Sequence, residues 1–198
     1  DVKAAFMQPL FSNQHAAVEL CFTPKADKYF ADLSALARIA LNDGGVSAID
    51  LSAVCAGTND VMVRVTNFGT NVLTSIKITC LINGTATGNS GNTFPLSPGV
   101  TTGNSMMVNL GSFTFVDGVT YNMVATGTAP NGATDGKPSN NSFSTSADPA
   151  LNGTFTVNSA QPTAGLNFNS LADMSRELSA RGVCGPVVIN VVANSGPY

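Results

Sequence analysis

The chain has 198 residues, 11% of them charged, with a formal net charge of -3, 19 Gly, 10 Pro and no Trp. Its nine Lys and Arg are scattered singly, as at Arg64 and Lys77, so no basic stripe exists for phosphates and nucleic acid is not an expected partner. The longest apolar runs, such as Val187 to Val192, are too short to cross a bilayer as a helix, and the polarity comes mainly from Asn, Thr and Ser, as in turn-rich extracellular β proteins.

Residues 1–45 are expected to form an N-terminal segment with one helix. Asp1 to Phe22 shows no periodicity. Thr23-Pro24 reads as an N-cap with Pro at the first helical position, and Tyr29, Phe30, Leu33, Leu36, Ala37 and Ala40 recur at helical spacing. The helix should run to about Asn42 and stop at Gly44-Gly45.

From Val46 the pattern changes to period two, with short β-branched runs broken by Gly, Asn and Pro. The expected strands are Val46 to Val54, Val61 to Asn67, Leu73 to Ile82, a weaker one near Thr93 to Leu96, Ser105 to Phe115, Val119 to Thr128 and Ser142 to Ser146. The fold class is therefore mainly β: a seven-stranded immunoglobulin-like Greek-key sandwich over 46–146, with short flanking α/β segments. Val61-Val63-Val65 and Ile76-Ile78 alternate cleanly around Asn67 to Asn71, which suggests a hairpin.

The four cysteines, Cys21, Cys55, Cys80 and Cys184, lack any C-x-x-C spacing, which removes a zinc knuckle or a thioredoxin-type motif. Buried thiols and disulfides both remain open. Closing the hairpin near Asn67 would bring Cys80 opposite Asp60 and towards Cys55, which favours a Cys55–Cys80 disulfide.

Residues 147–198 are expected to hold a linker at Ala147 to Gly153, then a strand-helix-strand unit. Its parts are Thr154 to Val157, a helix from about Ser170 to Ala180 capped by Asn169, and Val187 to Val192. Gly182 should end the helix.

Catalytic groups are scarce. The single His15 has no accompanying motif, Glu19 and Glu177 are the only glutamates, and the Asp residues sit mainly in turns or at helix ends. Gly84, Gly88 and Gly91 lie between strands without the Lys-Ser/Thr of a phosphate loop. Asp117, Asp135, Asn140 and Asn141 place oxygen ligands in loops and would suit calcium, although turn formation explains the same residues. No catalytic residue and no other cofactor is expected.

The run Asn59 to Ser75, continuing to Ile82-Asn83-Gly84, resembles the CARDB family, the cell-adhesion-related domain found in bacteria. Leu96-Ser97-Pro98-Gly99, Val108-Asn109-Leu110-Gly111, Asp117-Gly118-Val119-Thr120-Tyr121 and Asp135 to Asn141 look like the successive turns and strands of such domains. The resemblance implies an immunoglobulin-like fold in an extracellular protein, with no catalytic residues to transfer. Phe168, Leu171 and Asp173, followed by Gly182 to Val191, resemble the N-terminal cap of a bacterial right-handed parallel β-helix, which implies a short helix covering the open end.

The expected function is that of a structural or adhesive module of a secreted bacterial surface protein, assembling through β-strand addition into extracellular fibres. Its partners would be copies of itself or other surface proteins. The alternative is a non-catalytic accessory domain of a secreted carbohydrate-active enzyme or peptidase. A glycan partner finds few aromatic candidates there, with Tyr29, Tyr121 and Tyr198 the only tyrosines.

Overall fold

A computed structural model describes residues 22–25, 28–31, 42–50 and 54–193. His15, Glu19, Cys21 and Tyr198 lie outside the described residues. Where the start of a helix was expected, β1 (Phe22–Lys25) and β2 (Lys28–Ala31) pair antiparallel, with Pro24 opposite Tyr29. A proline fits an edge strand as well as a first helical turn, so Thr23-Pro24 does not discriminate between the two. The remainder of that expected helix lies outside the described residues, apart from Asn42.

The sandwich packs two sheets. One contains β3 (Gly44–Asp50), β4 (Gly57–Asn67) and β8 (Ser105–Phe115), in the order β3-β4-β8. The other runs β10-β9-β5, from β10 (Ser142–Ala147), β9 (Tyr121–Thr128) and β5 (Leu73–Ile82), with β6 (Thr85–Ala86) and β7 (Asn92–Val100) also on β5. All these pairings are antiparallel, and the chain changes sheet after β4, β7 and β8. This is the mainly β sandwich that the alternation predicts. Val61, Val63 and Val65 of β4 and Ile76, Ile78, Cys80 and Ile82 of β5 fill the space between the sheets.

β4 and β5 do not form a hairpin; they lie in different sheets. Each buries one face, so stacking satisfies their alternation as well as edge pairing would. The crossing is pinned by Asn67, which is 1% exposed. Its Nδ2 donates to the carbonyls of Asn71 and Val100, each at 2.7 Å, and its Oδ1 accepts from Gly69 N–H at 2.9 Å.

The C-terminal unit is a parallel sheet in the order β12-β11-β13, built from β11 (Leu151–Val157), β12 (Asn167–Phe168) and β13 (Val183–Val191). Helix α1 (Leu171–Arg181) joins β12 to β13. Met174 and Leu178 of α1 pack on Leu151, Phe155, Val157 and Phe168. Ser170, not the expected Asn169, caps α1 by accepting from Asp173 N–H. β11 starts within the stretch read as a linker, because Gly153 adopts a positive φ of 96° at a register shift and Asn-Gly forms a bulge instead of ending the strand. Among the described residues, no helix is long and apolar enough to cross a membrane.

Candidate functional site

Three features stand out: a covalent joint between sandwich and C-terminal unit, an unpaired sheet edge, and a cluster of oxygen atoms at one end of the sandwich.

The joint is a disulfide between Cys55 and Cys184, with Cα atoms 5.7 Å apart. It replaces the expected Cys55–Cys80 pair. That expectation needed β4 and β5 side by side; with the strands in facing sheets, Cys80 points into the core, 0% exposed, and keeps a free thiol. Burial pushes that thiol up to about 11. Around the disulfide, Ala150 N–H donates to Val54 O at 2.8 Å, and the Arg181 guanidinium donates through Nε and Nη2 to Pro149 O at 2.9 and 2.6 Å. Gly118 in the β8–β9 turn approaches so near to Gly165 that any Cβ there would collide with backbone.

The edge belongs to β13, whose single partner among the described residues is β11. Val192 N–H donates to Val157 O at 3.0 Å. Alternation along an extended strand then turns the N–H groups of Ile189 and Val191 to the opposite side, where no described strand pairs. Val187 and Ile189 face the helix, whereas Val188 and Val191 are about half exposed.

The oxygen cluster forms where the start of β3 meets the β9–β10 connection. Asp135 Oδ2 accepts from Gly44 N–H at 3.3 Å, its Oδ1 accepts from Lys137 N–H at 2.7 Å, and Gly136 N–H donates to Asn42 O at 2.7 Å. Asp43, 6% exposed, accepts from Asn140 Nδ2 at 3.3 Å through Oδ2. Among the described residues its Oδ1 has no hydrogen-bond partner, and neither have Asn140 Oδ1 and Asn141 Oδ1, all three being buried. Burial raises Asp43 above the ordinary carboxylate value; the negative charge of Asp135 adds to this, while the Asn140 hydrogen bond and the positive Lys137 oppose it.

Of the four loop residues singled out in the sequence, the structure brings Asp135, Asn140 and Asn141 to one end. Asp117 lies at the other end of β9, in the turn before it, where Arg181 is its nearest charge influence and burial lifts its carboxyl. Asp43 was missed. The signal for it was an Asp beside Gly44-Gly45, which reads equally well as a helix stop.

These features define a disulfide-tied β protein: an immunoglobulin-like sandwich bonded to a small parallel sheet whose long edge strand β13 has one partner among the described residues. No protein-family model and no curated protein matches the chain. Among solved structures, it is similar to the CARDB domain of a Pyrococcus furiosus protein in complex with di-metal ions, at 19% identity and a TM-score of 0.43, over 57% of this chain and 96% of that one. It is similar at 18% identity and a TM-score of 0.42 to a domain described as part of a cell surface protein from Methanosarcina acetivorans, over 57% of this chain and 95% of that one.

Proposed function

We propose that the chain is a non-catalytic structural module of an extracellular surface protein, which assembles with copies of itself by strand addition at β13. The observation that carries this reading is the unpaired edge of β13 beside the half-exposed Val188 and Val191. Backbone groups of such an edge pair readily with another chain. The parallel pairing of β11 with β13 supports the addition of a further parallel strand, which is how coils stack in the β-helix caps that this segment resembles. A disulfide supports an oxidising compartment outside the cytosol, and the single His15 leaves little for catalysis.

Sedimentation over a range of concentrations tests the assembly. The protein should associate as concentration rises, and Val191→Pro, which removes an edge N–H at a half-exposed position at the end of the strand, should hold it as a monomer. A wild-type chain that stays monomeric at millimolar concentration overturns self-assembly, as does unchanged association in Val191→Pro.

A further inference from the structure

We propose that Asp43 and Asp135, together with the side-chain amide oxygens of Asn140 and Asn141, bind a hard divalent cation of the calcium class at the β3 end of the sandwich.

The argument begins with what lacks a partner. Among the described residues Asp43 Oδ1, Asn140 Oδ1 and Asn141 Oδ1 are buried and accept no hydrogen bond, and Asp43 and Asn141 are each only 6% exposed. A buried acceptor left without a donor is costly, and a carboxylate more so than an amide. The fold does not lack means to satisfy such groups at this end. Asn67 uses both its amide atoms, and Asn131 Oδ1 accepts from Thr74 N–H while its Nδ2 donates to Asn42 Oδ1 and Val72 O. Thr87 Oγ1 and Asp117 Oδ1 also lack a partner among the described residues, but each stands singly, whereas at residues 43, 140 and 141 three such oxygens belong to side chains linked by the Asp43–Asn140 hydrogen bond and by chain adjacency.

The donor set then selects the ligand. Carboxylate and amide oxygens without imidazole or thiolate suit a hard cation, and two carboxylates supply the charge to hold it. The ligands come from a strand start and a loop, a flexible arrangement that suits the variable coordination of calcium better than the strict octahedron of magnesium. A hollow of about 460 Å³ reaches Asp135 and Asn141, which help to line it, while Asp43 and Asn140 lie behind that lining. A cation there would also relieve the mutual repulsion of Asp43 and Asp135, which the positive Lys137 and the hydrogen bonds from Asn140, Gly44 N–H and Lys137 N–H now oppose. Binding would clamp the 135–141 loop onto the entry to β3, where Asn141 O already accepts from Val46 N–H and Gly127 N–H.

The test is calorimetric titration of the chelator-treated full chain with calcium chloride, with magnesium chloride in parallel, and thermal melting in calcium against chelator. One calcium per chain is expected, with a dissociation constant on the order of 10⁻⁴ to 10⁻³ M and a rise in melting temperature at saturation. Asp43→Asn and Asp135→Asn should each weaken binding at least about tenfold, since each removes one of two ligand charges. Asp117→Asn should leave it unchanged. Asp43→Asn also separates binding from mere folding. Without calcium it should melt no lower than the natural protein, because it removes a buried charge, yet it should lose the calcium-dependent rise. Absence of heat and of any melting shift at millimolar calcium overturns the proposal, as does calcium binding that survives both Asp43→Asn and Asp135→Asn.

Discussion

The sandwich and the C-terminal unit handle their sheet edges in opposite ways. In the sandwich, edge strand β10 exposes Ser142, Ser144 and Ser146, and edge strand β7 carries Pro95 and Pro98, which cannot donate to a neighbour. In the C-terminal unit, edge strand β13 also carries a proline, Pro186, but beyond it exposes Val188 and Val191, and no described strand pairs with its outer side. The cores differ in the same sense. The sandwich buries Val63, Val65, Ile76 and Ile78 completely between two sheets, while the smaller unit buries Leu151, Phe155, Val157 and Phe168 under one short helix. A finished surface is thus covalently bonded to an unfinished one through Cys55 and Cys184.

The sharpest way to break this comparison is to remove the disulfide. Cys55 and Cys184 are 129 residues apart, and closing a loop of that length restricts the unfolded chain by about 5 kcal/mol on the entropic account, with measured losses of roughly 2–5 kcal/mol in small secreted domains. Reduction, or the double change Cys55→Ser and Cys184→Ser, should speed amide exchange in β11 and β13 by orders of magnitude. Amides of Val63 and Ile78 should keep their protection. Equal loss of protection in both regions would show that they unfold as one unit, and the contrast between a finished and an unfinished part would fall.

The same contrast explains what could be read without coordinates. Leu73 to Ile82 and Ser105 to Phe115 were legible to the residue, because apolar and polar side chains alternate along most of each, with a change of phase only at a register shift near Leu73 and at Gly111. Their partners were not. A turn such as Asn67 to Asn71 suits a hairpin and a crossing between sheets equally well, and only the buried hydrogen bonds of Asn67 decide, which is why Cys80 was assigned to the wrong neighbour. Asn169 is a plausible cap one residue early, but the helix starts at Leu171, so it is Ser170 whose hydroxyl oxygen accepts from Asp173 N–H, while the Asn169 side chain donates to Ser159 O and Gln161 O. In the oxygen cluster, Asn140 and Asn141 were legible as loop oxygens, while Asp43 depends on a long-range meeting of β3 with the β9–β10 connection that no local pattern encodes.

A smaller effect should come from the polar side of the joint. Arg181→Ala removes two charge-assisted hydrogen bonds to Pro149 O, a loss of roughly 1.5–3 kcal/mol for a partly buried group, and should loosen the linkage while leaving the disulfide in place. Limited proteolysis near residues 147–150 should accelerate in this variant. Cleavage at the natural rate would mean that the disulfide alone sets the geometry of the joint.

The smallest effect sharpens the comparison from the sandwich side. Cys80 is buried there as a thiol, and burial raises it from the ordinary 9.0 to about 11. With the folded value above the unfolded one, its contribution to stability is fully present below about pH 9. It is lost as pH rises through about 11, because the unfolded chain gives up this proton first. Denaturant midpoints followed through the sandwich strands should therefore fall between these two pH values, and Cys80→Ala should flatten that fall after a modest loss of packing. Exchange protection in β13 should respond to the disulfide and not to this titration, since Cys80 packs among β5 neighbours and not against the C-terminal sheet. If β13 follows the Cys80 titration, the two cores are coupled more tightly than their separate packing implies.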